Sequence, residues 1–473
     1  MFKQTLIPIT VIFLAACASV RDIESVTNPS THGVGTPATP AAQWSPPAKA
    51  VPPPVPPAGD LVLPPAGAPL ELAQIVGLAL ANNPLTRTTW LQARASEANL
   101  GSVRAAYLPT VDLGASLTIG HTATGTGTTL SGPSLSLDYL LFDFGGRNAA
   151  TEAARQTLIA SDYTHNQAIQ DVILRVEQAY YDYLDAKALL TAQSATIKER
   201  QTSLNSADAR HKAGVATIAD VLQARTALSQ AQLTYETIEG NLRRLQGTIA
   251  TTMGLPAATP FEVGELPLDI PAQQVSDAVE ALIARAVGDR PDLAAARAAV
   301  EQARARVSVV RSAGMPSIGL GASVAPVFTN GLRHNTTPYS AGISLRFPLF
   351  TGFRNTYDIR AAELATQLAA ENARGLEQQA GLQVWTSYYD LQTAVQRLKT
   401  SRDLLRDAQE SADVASGRYR AGIGSILDLL TAEAALENAR AEEVQARADW
   451  FLSVAQLAHD TGTLTPTGVP QGK

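Results

Sequence analysis

Several short motifs occur twice in this chain, at a separation near two hundred residues. Ala213-Gly214 returns as Ala421-Gly422, and Tyr180-Tyr181-Asp182 returns as Tyr388-Tyr389-Asp390, both offset by 208 (422 − 214 and 388 − 180). Arg147-Asn148 returns as Arg354-Asn355, and Leu108-Pro109 as Met315-Pro316, both offset by 207 (354 − 147 and 315 − 108). Solenoid units recur every ~20–50 residues, so this spacing marks the duplication of a whole supersecondary assembly. The repeated order is helix, β-hairpin, long helix, helix. It points to a channel rather than an enzyme.

As a soluble protein, 473 residues would make roughly two to four domains. The formal charge of −6 leaves no basic footprint, so no nucleic-acid partner is expected. Residues 1–16 read as a signal peptide: Lys3 is the positive start, and Leu6 to Phe13 is an apolar core. That core is too short for a bilayer-spanning helix of about 20 residues. It ends Leu14-Ala15-Ala16-Cys17, which resembles a bacterial lipobox. There the cysteine thiol is diacylated and becomes the mature N-terminus; the other reading is a chance cysteine after an ordinary signal. Cys17 is the only cysteine, so no disulfide or thiolate metal site is expected. Ala18 stands where an aspartate would signal inner-membrane retention, which favours export to the outer membrane.

Residues 17–69 are rich in Pro, Ala, Gly and Thr and read as an extended tether or plain linker. The first repeat is placed at 70–262 and the second at 276–465, with a connector at 263–275 and a tail at 466–473. In each repeat, helical spacing is broken early, by Asn82-Asn83-Pro84 and by Asp289-Arg290-Pro291.

The period then changes from 3.6 to 2. Val111, Leu113, Ala115, Leu117 and Ile119 alternate with Asp112, Gly114, Ser116 and Thr118. Leu135, Leu137 and Tyr139 alternate with Ser134, Ser136 and Asp138. In the second copy Ile318, Leu320, Ala322 and Val324 oppose Gly319, Gly321 and Ser323; Ala341, Ile343, Leu345, Phe347 and Leu349 oppose Gly342, Ser344 and Arg346. Hairpin strands are therefore expected over 109–142 and 316–350, with one apolar and one small or polar face. That suits a transmembrane barrel around water, with Asp112, Asp138 and Arg346 facing the lumen, either tuning passage or simply hydrated. Phe142, Phe144, Phe347, Phe350 and Phe353 cluster at strand ends, as a membrane-interface girdle or as packing at the junction with the helices. Four strands do not close a barrel, since the smallest have about eight. Open edges in lipid leave backbone groups unpaired at several kcal/mol each, so several chains must share one barrel.

Arg147 to Lys212 contains no proline or glycine. As one helix it would reach roughly 100 Å. Coiled-coil helices are expected over 147–254 and 354–461, each pair reversing at a Gly turn. Gly214 and Gly422 permit a positive φ there, and equally leave a small surface on which another protein can pack. The six histidines show no metal spacing, and no catalytic constellation is visible, so no enzyme activity, cofactor or metal is expected.

Taken together, this resembles the TolC-like outer-membrane efflux and secretion channels, in their lipoprotein branch. The carriers are the Leu-Pro and Met-Pro strand entries; Leu141-Phe142-Asp143-Phe144-Gly145-Gly146-Arg147 beside Pro348-Leu349-Phe350-Thr351-Gly352-Phe353-Arg354; and Ala209-Arg210-His211-Lys212-Ala213-Gly214 with Asp220-Val221-Leu222 beside Gly417-Arg418-Tyr419-Arg420-Ala421-Gly422 with Asp428-Leu429-Leu430. The resemblance implies an α+β membrane protein: a homotrimer whose 12-stranded barrel continues into a periplasmic helical barrel. It implies docking at Ala213, Gly214, Ala421, Gly422 and Gly424 to a periplasmic adaptor that joins an inner-membrane pump of the resistance–nodulation–division type. Asp428 matches an aspartate ringing the family's constriction, while Thr431 supplies no second acidic ring. Tyr419 and Asp220 match a tyrosine and an aspartate that hydrogen-bond across coils to hold the tip shut; for Asp220 a helix N-terminal or solvated carboxylate is the other reading. The arginine completing that lock is replaced by Gly424. The implied function is passive efflux through a tip gate, with type I protein secretion, or a periplasmic adaptor, as alternatives.

Overall fold

The computed structural model describes residues 69–121, 127–267, 278–330 and 337–464, together with 61, 62, 64 and 67. Cys17, the signal segment, most of the tether and the tail lie outside them.

The chain opens with α1 (Leu72–Asn82) and α2 (Pro84–Arg104), which breaks into a single 3-10 turn at Ala105–Tyr107. Asn83 makes the break: its side chain accepts from the Leu85 amide at 2.9 Å, Pro84 opens the next helix, and its Nδ2 donates to the Thr252 carbonyl at 3.1 Å. Strands β1 (Thr110–His121) and β2 (Gly127–Phe142) follow, then α3 (Gly146–Lys212) and α4 (Ile218–Thr252). The sequence continues with α5 (Val279–Asp289), α6 (Pro291–Ala313), β3 (Ser317–Val324), β4 (Phe328–Asn330), β5 (Tyr339–Arg346), α7 (Arg354–Arg420) and α8 (Ile426–Asp460). At the second break Arg290 replaces asparagine. Its buried guanidinium holds Asp292 at 2.7 Å and 3.0 Å, and donates to the Asp460 carbonyl at 3.1 Å. In both halves, then, the break residue ties back to the end of the returning helix.

All ladders are antiparallel, in the order β1-β2-β3-β5, with β4 on the outer part of β2. Registers align the side-chain rows across the sheet. Leu113, Leu135, Val324 and Tyr339 form one row; Val111, Leu137, Ala322 and Ala341 form the next. Between them, on the opposite face, runs Asp112, Ser136, Ser323 and Ser340. The apolar face is open to the surroundings, with Leu113 79% and Ile343 72% exposed. The far edges of β1 and β5 carry no partner strand among the described residues.

The strand ends differ from expectation. β5 stops at Arg346, so Phe347 and Leu349 lie beyond it; Pro348 has no N–H to continue the ladder. β3 stops at Val324, just before Pro326, and Phe328–Asn330 resume pairing as β4. The carbonyl of Pro326 presses on β2 at Gly132, where a Cβ would sit 1.8 Å from that oxygen. The phenylalanines at strand ends are exposed, Phe142, Phe144, Phe347, Phe350 and Phe353 all standing outside the chain's own core, with Phe142 edge-on to Phe144 and Phe350 to Phe353.

Helix α3 is the spine. It packs against α2, α4, α6 and α8, while α7 packs against α5, α6 and α8. Among the described residues no helix is long and apolar enough to cross a membrane.

Candidate functional site

Each long helix ends in the same way. Ala213 keeps helical φ, Gly214 turns left-handed at φ 76°, and the Val215 amide reaches back to the Arg210 carbonyl at 3.0 Å. In the second tip Gly422 sits at φ 80° after Ala421, and the Ile423 amide reaches the Arg418 carbonyl at 3.0 Å. These bonds satisfy carbonyls that a helix end leaves orphaned. Glycine takes this φ without the steric strain of a Cβ.

The return helices begin with matched capping boxes. The Thr217 hydroxyl accepts from the Asp220 amide at 3.3 Å, and the Asp220 carboxylate accepts from the Thr217 amide at 2.9 Å. Ser425 and Asp428 repeat this at 3.1 Å and 3.4 Å. Both aspartates therefore have a helix-starting role of their own. Asp428 remains exposed, in a groove shared with Asp407, Glu410 and Arg418.

The two tips share one small core. Ala207, Val221 and Ala224 of the first meet Tyr419, Ile426 and Leu429 of the second. Tyr419 is 3% exposed, and its hydroxyl has no hydrogen-bond partner. Tyr419 and Asp220 are thus not hydrogen-bonded within the chain. Burial raises the Tyr419 phenol above its ordinary value, against the pull of the Arg210 charge and with some help from Asp220. Arg210 is the group in contact: its Nη1 donates to the Tyr419 carbonyl at 2.7 Å, and its guanidinium carbon lies 4.9 Å from the ring centroid. Gly424 approaches α7 closely. A Cβ there would meet the Tyr419 nitrogen at 3.1 Å and the Arg418 carbonyl carbon at 3.2 Å. A side chain at 424 would require α7 to give by a few tenths of an ångström.

In the sheet, Asp112 and Asp138 lie on the small-residue face, two rows apart by register, with Asp138 between Thr110 and Gly321. Arg346, opposite Ser317, is at the helix-proximal end of β5 and pairs with neither. All three side chains are exposed.

A buried polar ladder above the tips escaped the sequence reading. Arg200 holds Glu433 at 2.9 Å and Glu437 at 3.3 Å; Ser203 donates to Glu433 at 2.5 Å and Gln193 to Glu437 at 3.0 Å. Arg440 clasps Glu199 with two bonds of 2.8 Å. Burial pushes the Glu433 carboxyl above its usual range, although Ser203 and Arg200 oppose the shift. The signal was present in the spacing: Gln193, Thr196, Arg200, Ser203 and Ala207 are buried at alternating steps of three and four, which is the core seam of a coiled coil. Farther along, His459 bridges Asp171 and Asp460 at 3.0 Å each. Burial disfavours its charged form, but the hydrogen bonds and charges of the two carboxylates outweigh this and raise it to about 9.

Comparison with known proteins agrees with this architecture. The family model described as outer membrane efflux protein matches residues 75–255 and 282–463. The chain is 31% identical to Protein CyaE of Bordetella pertussis over 452 residues, covering 92% of each. It is 26% identical to a probable efflux pump outer membrane protein, TtgC of Pseudomonas putida, covering 78% of each. Among solved structures, the outer membrane protein VceC of Vibrio cholerae superposes with a TM-score of 0.74 at 20% identity, over 83% of this chain and 96% of that one. The duplicated tips, the exposed apolar sheet face and these matches together place the chain in the outer membrane efflux protein family, whose members are channels of the outer membrane.

Proposed function

We propose that the protein is the outer-membrane exit duct of a tripartite efflux system. Three copies join their sheets, each four strands across because β3 and β4 follow one another along β2, into a twelve-stranded barrel, and their helices continue as a duct through the periplasm. The observation that carries this reading is the sheet: an exposed apolar face, small and polar residues behind it, and two edges without a partner strand among the described residues. In lipid such edges are satisfied only by closure, and one chain has too few strands to close alone.

The duct is passive. Energy comes from an inner-membrane transporter of the resistance–nodulation–division type, relayed by a periplasmic adaptor that meets Ala213, Gly214, Ala421, Gly422 and Gly424. The tips form the gate. Asp428 of each copy faces a narrow aperture, where a ring of carboxylates gathers cations and resists closure by mutual repulsion; Tyr419 and Asp220 lie in and beside the tip core that has to part. Asp112, Asp138 and Arg346 line the lumen. A diacylated Cys17 anchors the mature chain in outer-membrane lipid.

The test combines assembly and transport. Solubilised from outer membranes, the protein should run as a trimer and conduct in planar bilayers, and a deletion strain should accumulate a fluorescent efflux dye. A monomer without conductance overturns the duct. Normal dye export with loss of a secreted polypeptide would assign the duct to protein secretion instead.

A further inference from the structure

The family's tip lock needs an arginine that this chain lacks, yet the two hairpin tips are fastened. The fastening comes from the other side. Arg210, in the last turn of α3, crosses to the C-terminus of α7 and donates to the Tyr419 carbonyl at 2.7 Å. That carbonyl also accepts from the Gly422 amide at 3.1 Å, and it sits at the negative end of a helix, where a cation is favoured. The guanidinium also covers the Tyr419 ring, 4.9 Å from its centroid. The guanidinium lies alongside the turn glycine: a Cβ at 422 would be 3.6 Å from Nη1, an ordinary contact.

The contact is strong in geometry but incomplete. Two buried atoms stay unpaired while it is made, Arg210 Nε and the Tyr419 hydroxyl. Each lacks in this arrangement a bond that water would supply if the tips separated. Leaving buried polar atoms unsatisfied weakens the contact that buries them. The result is a fastening of small net strength, suited to release by a docking partner. The deeper ladder leaves Arg200 Nε unpaired as well, but there the guanidinium faces two carboxylates, Glu433 and Glu437.

We propose that Arg210 is the positioning residue that holds the second hairpin tip to the first within one chain, and so sets how readily the tips part. The inference rests on the reading of the tips as the gate. By holding α7 through its terminal carbonyl, Arg210 keeps Tyr419 in the shared core with Ala207 and Val221. It supplies from α3 a contact that Gly424 has no side chain to make.

The experiment uses the full-length trimer in planar bilayers. Arg210→Ala should raise the open-to-closed ratio at least about tenfold, the factor expected when even one of the three charge-assisted hydrogen bonds has to break for opening. Arg210→Lys should restore most of the closure, since an ammonium still donates to the carbonyl but does not cover the ring. The thermal transition of the trimer should be unchanged in both. If the alanine variant does not assemble, Arg210→Gln, which keeps a neutral donor, carries the comparison and should fall between wild type and full opening. Wild-type conductance in an assembled alanine variant overturns the proposal; so do equal effects of alanine and lysine with a lowered thermal transition. Cd2+ applied to Asp428→Cys separates the two layers of the argument. Block there with no effect at Arg210 removes this inference alone, whereas no block removes the gate and the inference together.

Discussion

Arg200 on α3 and Glu433 on α8 form an ion pair of 2.9 Å with side chains only 5% and 9% exposed. Residues from the two halves of the chain thereby fix the seam between its two helical hairpins. Removing one member of such a pair strands the other, at about 3–5 kcal/mol. Arg200→Met should therefore lower the thermal transition of the protein strongly, because Glu433 loses its countercharge and Glu437 one of its partners. Glu433→Gln should do less harm, since Arg200 keeps Glu437 and the amide can still accept from Ser203. Circular dichroism melting of the two variants decides the order.

Alkaline pH should loosen the junction between α8 and α3. His459 is raised from an ordinary 6.5 to about 9 by Asp171 and Asp460 against the opposing effect of burial. Its contribution is complete below about pH 6.5 and is lost as the pH rises through about 9. The melting temperature should thus fall between pH 7 and pH 10, and His459→Gln should flatten that part of the profile while lowering stability at pH 7.

Adjacent positions on β5 should respond oppositely to charge. Ile343 is on the exposed apolar face and Ser344 on the small-residue face. An arginine facing lipid near mid-membrane costs about 2–4 kcal/mol. Ile343→Arg should cut the amount of assembled protein in outer membranes, and Ser344→Arg should leave assembly intact while shifting conductance toward anions. Quantitative blotting and reversal potentials measure the two outcomes.

At the tip, Gly422→Ala places a Cβ at φ 80°. The strain is about 1–2 kcal/mol, so the turn should fray and limited proteolysis near 422 should accelerate, with the melting of the distant sheet unchanged.

Much of this was legible from residue order alone. The change from helical to alternating spacing located the sheet, because each pattern suits only one periodic backbone. Asn82-Asn83-Pro84 and the Gly turns located the breaks, because they rest on local steric rules. The end of β5 was visible in Pro348 but was overridden by the persistence of alternation through Phe347 and Leu349. What stayed hidden depends on contact between distant segments. Arg210 and Tyr419 are 209 residues apart, and nothing local marks them as neighbours. Asp220 and Asp428 stood out as gate candidates, yet their shared place in capping boxes appears only once Thr217 and Ser425 are read with them. For Arg200 the seam spacing was there to be read, but a charged residue on an apolar stripe discourages that reading until its partners are seen.

The helices come in equal pairs: α3 and α7 are 67 residues each, α4 and α8 are 35 each. Adding a single heptad to one arm alone would displace its knuckle by about 10 Å relative to the other. Arg210 would then face solvent and Tyr419 would lose its neighbours. Any lineage that lengthened or shortened the reach of this protein across the periplasm had to write the change twice, once in each half of the gene.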